Sequence, residues 1–78
     1  MKVLNRKGDY VLVEYPDNFY AFGYPSYINS TWGWPVNQCG TKQYVLERLN
    51  SRKKNAYAKL HPEVIDVYNS FIKTLEEI

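Results

Sequence analysis

The sequence predicts a small α+β protein, in which an antiparallel sheet of three or four strands precedes two or three C-terminal helices packed on one face. β-branched and aromatic residues dominate the first 40 positions, where Gly and Pro separate them into short runs. After Gly40 the apolar period lengthens to the 3.6 residues of a helix. A chain of 78 residues suffices for one compact domain, residues 1–78, with the sheet and an aromatic loop in 1–40 and the helices in 41–78.

The first two strands are short and are joined by a glycine turn. Val3 and Leu4 form the first strand, and Gly8 supplies the turn that ends it. Residues 10–15 read Tyr-Val-Leu-Val-Glu-Tyr, a composition typical of a strand because branched and aromatic side chains suit a pleated surface.

A hairpin then returns the chain along residues 19–24. Pro16 presets the backbone angle for a tight turn before this third strand. Because side chains alternate along a strand, three large aromatic residues share one face, and Phe19, Ala21 and Gly23 share the other. The large ones are Tyr20, Phe22 and Tyr24. The pattern leaves open which face is buried.

Residues 32–36 are the candidate for a fourth strand. Trp32, Trp34 and Val36 alternate along one side, and Pro35 confines such a strand to a sheet edge because it lacks an N–H group. An exposed edge there, or at the first strand, can pair with a second copy, so a homodimer is one alternative.

The helical half begins at Thr41, a residue type that suits a helix N-cap. The first helix is expected to run through Leu49. Beyond it there are two alternatives: the helix continues to Leu60, or it breaks at Asn50 and Ser51, and Ser51 caps a second short helix. Both charge and periodicity predict the last helix.

Pro62 and Glu63 suit the first turn of that last helix, where proline and acidic residues are favoured. Apolar residues then follow the helical period closely through residues 64–78. Phe71 and Leu75 are expected in the core.

The formal net charge of +2 conceals an uneven distribution. Residues 1–40 are neutral, residues 41–60 carry six basic and one acidic residue, and residues 61–78 carry one basic and four acidic residues. Charge runs usually face water, so neighbouring helices with complementary solvated faces are the simplest interpretation.

Few residues offer catalytic or metal chemistry. The single Cys39 and single His61 exclude a disulfide framework and a zinc site. As a nucleophile and base they lack a third, orienting residue at a recognisable spacing. No convergent carboxylate pair, glycine-rich phosphate loop or other catalytic motif is apparent. The chain is therefore predicted to be non-enzymatic, without cofactor or metal.

The chain contains no run of eighteen apolar residues, and its N-terminus returns to charge after Val3 and Leu4. Neither a membrane span nor a signal peptide is predicted. We therefore expect a soluble, cytoplasmic protein with no membrane partner.

Nine of the thirteen aromatic residues lie between Tyr10 and Trp34, more than one covered sheet face can bury. The aromatic loop runs into the basic helix through Gly40, so both are expected near one end of the sheet. Together they form the predicted partner-binding surface: Tyr27, Trp32, Trp34, Arg48, Arg52 and Lys53. The alternative keeps both tryptophans as core plugs beneath the loop.

These features predict a protein–protein inhibitor or adaptor that blocks a functional surface of a larger protein or protein–nucleic-acid complex. Its compactness and its Tyr-, Asn- and Lys-rich composition are similar to those of small phage-encoded inhibitors of host machinery. The alternative is a binder of single-stranded nucleic acid or a nucleotide, with rings that stack on bases and a basic helix that holds phosphates.

Overall fold

The computed structural model describes all 78 residues and contains a four-stranded sheet followed by three α-helices. The strands are β1 (Lys2–Lys7), β2 (Tyr10–Tyr15), β3 (Phe19–Gly23) and β4 (Cys39–Gly40), and the helices are α1 (Lys42–Arg52), α2 (Ala56–Leu60) and α3 (Pro62–Glu76). The strands pair antiparallel in the order β1-β2-β3-β4. The predicted α+β class is confirmed. None of the helices has the length and apolarity needed to cross a membrane.

Both faces of the central strands are covered. Leu12 pairs with Phe22, and Val13 pairs with Ala21, so alternation sends the two pairs to opposite faces. Leu12 and Phe22 join the larger apolar core beneath the helices, whereas Val13 and Ala21 belong to a second apolar cluster on the other side. The helices therefore occupy one face, as predicted, and a loop occupies the other.

Helix α3 contributes the largest share of the helix-side core. Its buried side chains recur at the spacing of a single helical face: Val64, Val67, Tyr68, Phe71, Ile72 and Leu75. Phe71 and Leu75 are fully buried, as predicted. Each such side chain stabilises the folded state by roughly 1.5–3 kcal/mol through burial alone.

Strand β1 is longer than predicted and is tied to α3 by a polar contact. Val3 pairs with Val13 and Asn5 pairs with Leu12, so one extra residue forms a bulge in β1. The Asn5 Nδ2 atom donates hydrogen bonds to Ser70 Oγ at 2.9 Å and Thr74 Oγ1 at 3.0 Å.

The predicted strand at residues 32–36 is wrong, because this segment forms turns and the fourth strand is β4. The N–H of Trp32 donates to Ser30 Oγ at 3.2 Å, and the N–H of Gly33 donates to the Ser30 carbonyl oxygen at 3.2 Å. These local bonds use the donors that a strand would need for its ladder. The chain rejoins the sheet only after a 3₁₀ turn at Val36–Gln38.

The cap of α1 is confirmed, because Thr41 Oγ1 accepts the N–H of Tyr44 at 3.2 Å. The predicted cap of the second helix is wrong. Ser51 lies inside α1, which continues to Arg52, and Asn55 caps α2 by accepting the N–H of Ala58 at 2.8 Å.

Candidate functional site

The aromatic loop, residues 24–38, is anchored on the sheet face opposite the helices. Trp34 packs against the second apolar cluster, and its Nε1 donates to the Tyr15 hydroxyl at 2.9 Å. Gln38 Nε2 donates to the Phe22 carbonyl oxygen at 2.9 Å. Gly23 permits this close approach, because a Cβ there would lie 2.5 Å from Gln38 Nε2. The loop is therefore held to the sheet near its C-terminal end.

Trp32 has the opposite environment from Trp34, with 94% of its surface exposed. Its own N–H nevertheless donates to Ser30 Oγ, and the N–H of the next residue, Gly33, donates to the Ser30 carbonyl oxygen. Val36 in the same loop is 86% exposed. The side chain of Trp32 is thus exposed to solvent on a loop that is anchored to the sheet. Trp34 is the core plug that the alternative interpretation described, whereas Trp32 lies on the surface.

Tyr27 is half-buried and supports the loop from within. Its ring centroid lies 5.6 Å from that of Trp34 and 6.0 Å from that of Tyr24. The structure therefore brings two predicted site residues, Tyr27 and Trp34, into one aromatic cluster.

The basic helix lies on the other side of the sheet from this cluster. The Arg52 guanidinium carbon is 5.3 Å from the ring centroid of Phe22, whose side chain faces the helices. Lys53 Nζ donates to Asn69 Oδ1 on α3 at 3.0 Å. Arg52 and Trp34 are thus on opposite faces, with the short edge strand β4 between the loop and α1 along the chain.

The two predicted arginines on α1 have no internal counterion. The Nε atoms of Arg48 and Arg52 are shielded from solvent and have no hydrogen-bond partner. Between side chains, the only contact of a basic with an acidic group is that of His61 Nδ1 with Glu63 Oε1, at 3.4 Å. Neither guanidinium is therefore paired with a carboxylate inside the chain.

Cys39 and His61 do not form a nucleophile–base pair. The Cys39 thiol donates to the Pro35 carbonyl oxygen at 3.5 Å and packs beside the second apolar cluster. The His61 ring lies in the helical part, with its centroid 4.3 Å from that of the Tyr57 ring. Burial raises the pKa of the Cys39 thiol, which disfavours the reactive thiolate. No three His, Cys, Asp or Glu side chains converge as metal ligands.

A second surface feature, which the sequence did not indicate, is a groove of about 430 Å³ beside the turn between β1 and β2. We call it the tyrosine groove, and define it by three tyrosines and three carboxylates: Tyr10, Tyr24, Tyr57, Asp9, Glu63 and Asp66. One part of it was foreseeable. Once Tyr15 pairs with Phe19, the hairpin register sets Tyr10 opposite Tyr24.

No protein-family model matches the chain, and no curated protein or solved structure is significantly similar to it.

Proposed function

We propose that the chain is a non-enzymatic protein-binding module of the cytoplasm, which covers a functional surface of a larger partner as an inhibitor or adaptor. The observation that carries this proposal is Trp32, an exposed tryptophan on a loop whose backbone is anchored. Exposed apolar area of this kind favours association, because burying it against a partner removes it from water.

Anchoring matters because binding then orders little of the loop. Trp34 and Gln38 already hold the loop to the sheet, so the entropic cost of arranging Trp32 for contact falls largely on its own side chain. Tryptophan is also among the residues whose truncation most often weakens an interface by about 2 kcal/mol or more.

The arginines of α1 extend the proposed surface. Arg48 and Arg52 have no internal carboxylate partner, and arginine is enriched at protein interfaces. Because the loop and α1 cover opposite sheet faces, a partner that contacts both must reach around the β4 edge. Such a partner would carry acidic groups where it meets α1.

Site-specific photocrosslinking in lysate of the source cell tests the proposal. A photoreactive phenylalanine analogue replaces Trp32 in one variant and Leu60, which is 78% exposed on α2, in the control. We expect one discrete protein adduct from position 32 and none from position 60. Excess wild-type protein should suppress the adduct, whereas excess Trp32→Ala protein should not. Equal adducts from both positions, or equal suppression by both competitors, would overturn the proposal.

A binder of single-stranded nucleic acid is the second candidate, and the lack of a carboxylate partner for Arg48 and Arg52 within the chain favours it. Fluorescence anisotropy with a labelled oligonucleotide distinguishes the two. Three phosphate contacts predict a loss of affinity of roughly 20-fold between 50 and 200 mM salt. Oligonucleotide binding that weakens in this way with salt would support the second candidate. If the protein does not bind the oligonucleotide at 50 mM salt, the second candidate is excluded.

A further inference from the structure

The tyrosine groove has a rigid aromatic wall. The rings of Tyr10 and Tyr24 stack with centroids 5.0 Å apart at an angle of 21°, and their hydroxyl oxygens are 3.5 Å apart. Behind them the buried Tyr68 lies 6.3 Å from Tyr10. Tyr10 is therefore held between two other tyrosines, while Tyr24 remains 46% exposed. Of the two stacked rings, Tyr24 is therefore the one exposed to a ligand in the groove.

Tyr57 and two valines complete the apolar lining. Tyr57 is 57% exposed, and its ring is supported by His61, whose ring centroid is 4.3 Å away. Val64 and Val67 of α3 also line the groove. A ligand in this space would bury an alkyl body against valines and aromatic rings.

The charges around the groove are mostly negative. Asp9, Glu63 and Asp66 line it against a single cation, Lys7. Asp9 and Asp66 form no ion pair within the chain, and Glu63 pairs only with His61. The carboxylates do not converge as a metal-ligating group. The lining thus favours an organic cation, whose charge is delocalised or attached to a carbon skeleton, over a metal ion.

We infer that the tyrosine groove binds an organic cation, a guanidinium or alkylammonium group whose charge lies among the carboxylates and whose carbon atoms contact the tyrosine rings. Cations are attracted to the faces of aromatic rings within about 6 Å, and guanidinium groups also stack on them. The same chemistry occurs in free amines and in arginine or lysine side chains of a peptide. A volume of about 430 Å³ accommodates either.

The test compares a cation with its neutral isostere. The Nα-acetyl amides of arginine, lysine and citrulline are titrated into the ¹⁵N-labelled protein, and the amide shifts around Gly8 and Val67 are followed. We expect arginine or lysine amide to shift these signals, and citrulline amide to bind at least about tenfold more weakly, because it lacks the charge. A hexapeptide that contains the same residue then identifies the source: tighter binding indicates a peptide, and equal binding indicates a free cation.

Variants locate the binding to the groove. Asp66→Asn and Tyr57→Leu, both at exposed positions, should each weaken binding about fivefold or more, whereas Glu76→Gln at the far end of α3 should leave it unchanged. Trp32→Ala should also leave it unchanged, so failure here is distinguishable from failure of the proposed function. Equal binding of arginine and citrulline amides, no shift with either cation, or unaltered affinity in both groove variants would overturn the inference.

Discussion

The indole Nε1 of Trp34 donates a hydrogen bond of 2.9 Å to the hydroxyl of Tyr15, nineteen residues earlier in the chain. This bond joins the aromatic loop to the end of β2. Together with the packing of Trp34 on the second apolar cluster, it closes the sheet face that the helices leave open. Two positions earlier, Trp32 makes no such contact and extends into solvent. The two tryptophans therefore differ in what their removal should do.

Trp34→Ala should destabilise the fold by about 1–3 kcal/mol, since the side chain is half-buried and its loss uncovers apolar residues of β2 and β3. Trp34→Phe keeps a ring but removes the bond to Tyr15, which should cost about 1 kcal/mol. Trp32→Ala is the matched control and should change stability by less than about 0.5 kcal/mol. Urea unfolding measures all three. Equal destabilisation by the two alanine variants would contradict the assignment of Trp34 as anchor and Trp32 as surface residue.

Periodicity accounts for most of what the sequence predicted. The branched and aromatic composition of β2, the alternation along β3 and the helical stripe of α3 are local patterns, as is the cap at Thr41, and each of these elements is present in the structure. Residues 24–38 have no such period. Their path depends on contacts distant in sequence, chiefly that of Trp34 with Tyr15, which no local pattern encodes. For this reason the local pattern of residues 32–36 predicts a strand where the structure has turns.

In the candidate sites, too, what a local pattern determines is predictable and what a distant contact determines is not. Trp32 and Trp34 have similar sequence surroundings, so their different burial arises only from tertiary packing. The contact of the Tyr10 ring with the Tyr24 ring is predictable, because it lies one position beyond the Val11–Gly23 pair in the hairpin register. The position of Tyr57 is not predictable from the sequence. It depends on a separate helix that Asn55 caps, whereas the sequence predicts Ser51 as the cap.

Phe71→Ala and Leu75→Ala should each lower the free energy of unfolding by about 2–5 kcal/mol, because both side chains are fully buried in the core between the sheet and the helices. A domain of this size has a total stability on the order of 5 kcal/mol, so either variant should lose a large part of it and melt at a clearly lower temperature than the wild type. Circular dichroism melting curves test this, with Glu76→Ala on the exposed side of the same helix as control. Native melting curves for both core variants would mean that α3 docks by a different face.

Stability should fall at alkaline pH. Burial, assisted by the bond from the Tyr20 hydroxyl to Glu14 at 3.0 Å, raises the pKa of Tyr20 above its ordinary value of 10.0. Burial and the neighbouring Tyr24 likewise raise the pKa of Tyr10. In the unfolded chain both phenols ionise near pH 10, so the folded state holds more protons above that pH and loses stability as pH rises.

Urea unfolding from pH 8 to 11.5 checks this prediction, alongside tyrosinate absorbance in the folded protein. Stability should be unaffected by these phenols below about pH 10 and should decline above it. Tyr20→Phe removes one of the two groups and should make the decline shallower, even if the variant is less stable at pH 8. A stability profile with the same alkaline slope in the wild type and Tyr20→Phe would show that Tyr20 ionises as it does in the unfolded chain.

Charge changes on α1 separate its structural contacts from its binding surface. Arg52 lies over the ring of Phe22, so Arg52→Gln should lower the free energy of unfolding by about 0.5–1 kcal/mol, while Lys54→Gln, at an exposed position, should leave it almost unchanged.

Reversal of both arginines, Arg48→Glu with Arg52→Glu, should leave most of the protein folded, because neither residue forms an ion pair in the chain. The same double variant should weaken the position-32 crosslink or the oligonucleotide complex, whichever is observed, since like charges then face an acidic partner. Unchanged partner affinity in the folded double variant would show that the basic surface of α1 is only solvated, and would confine the binding surface to the aromatic loop.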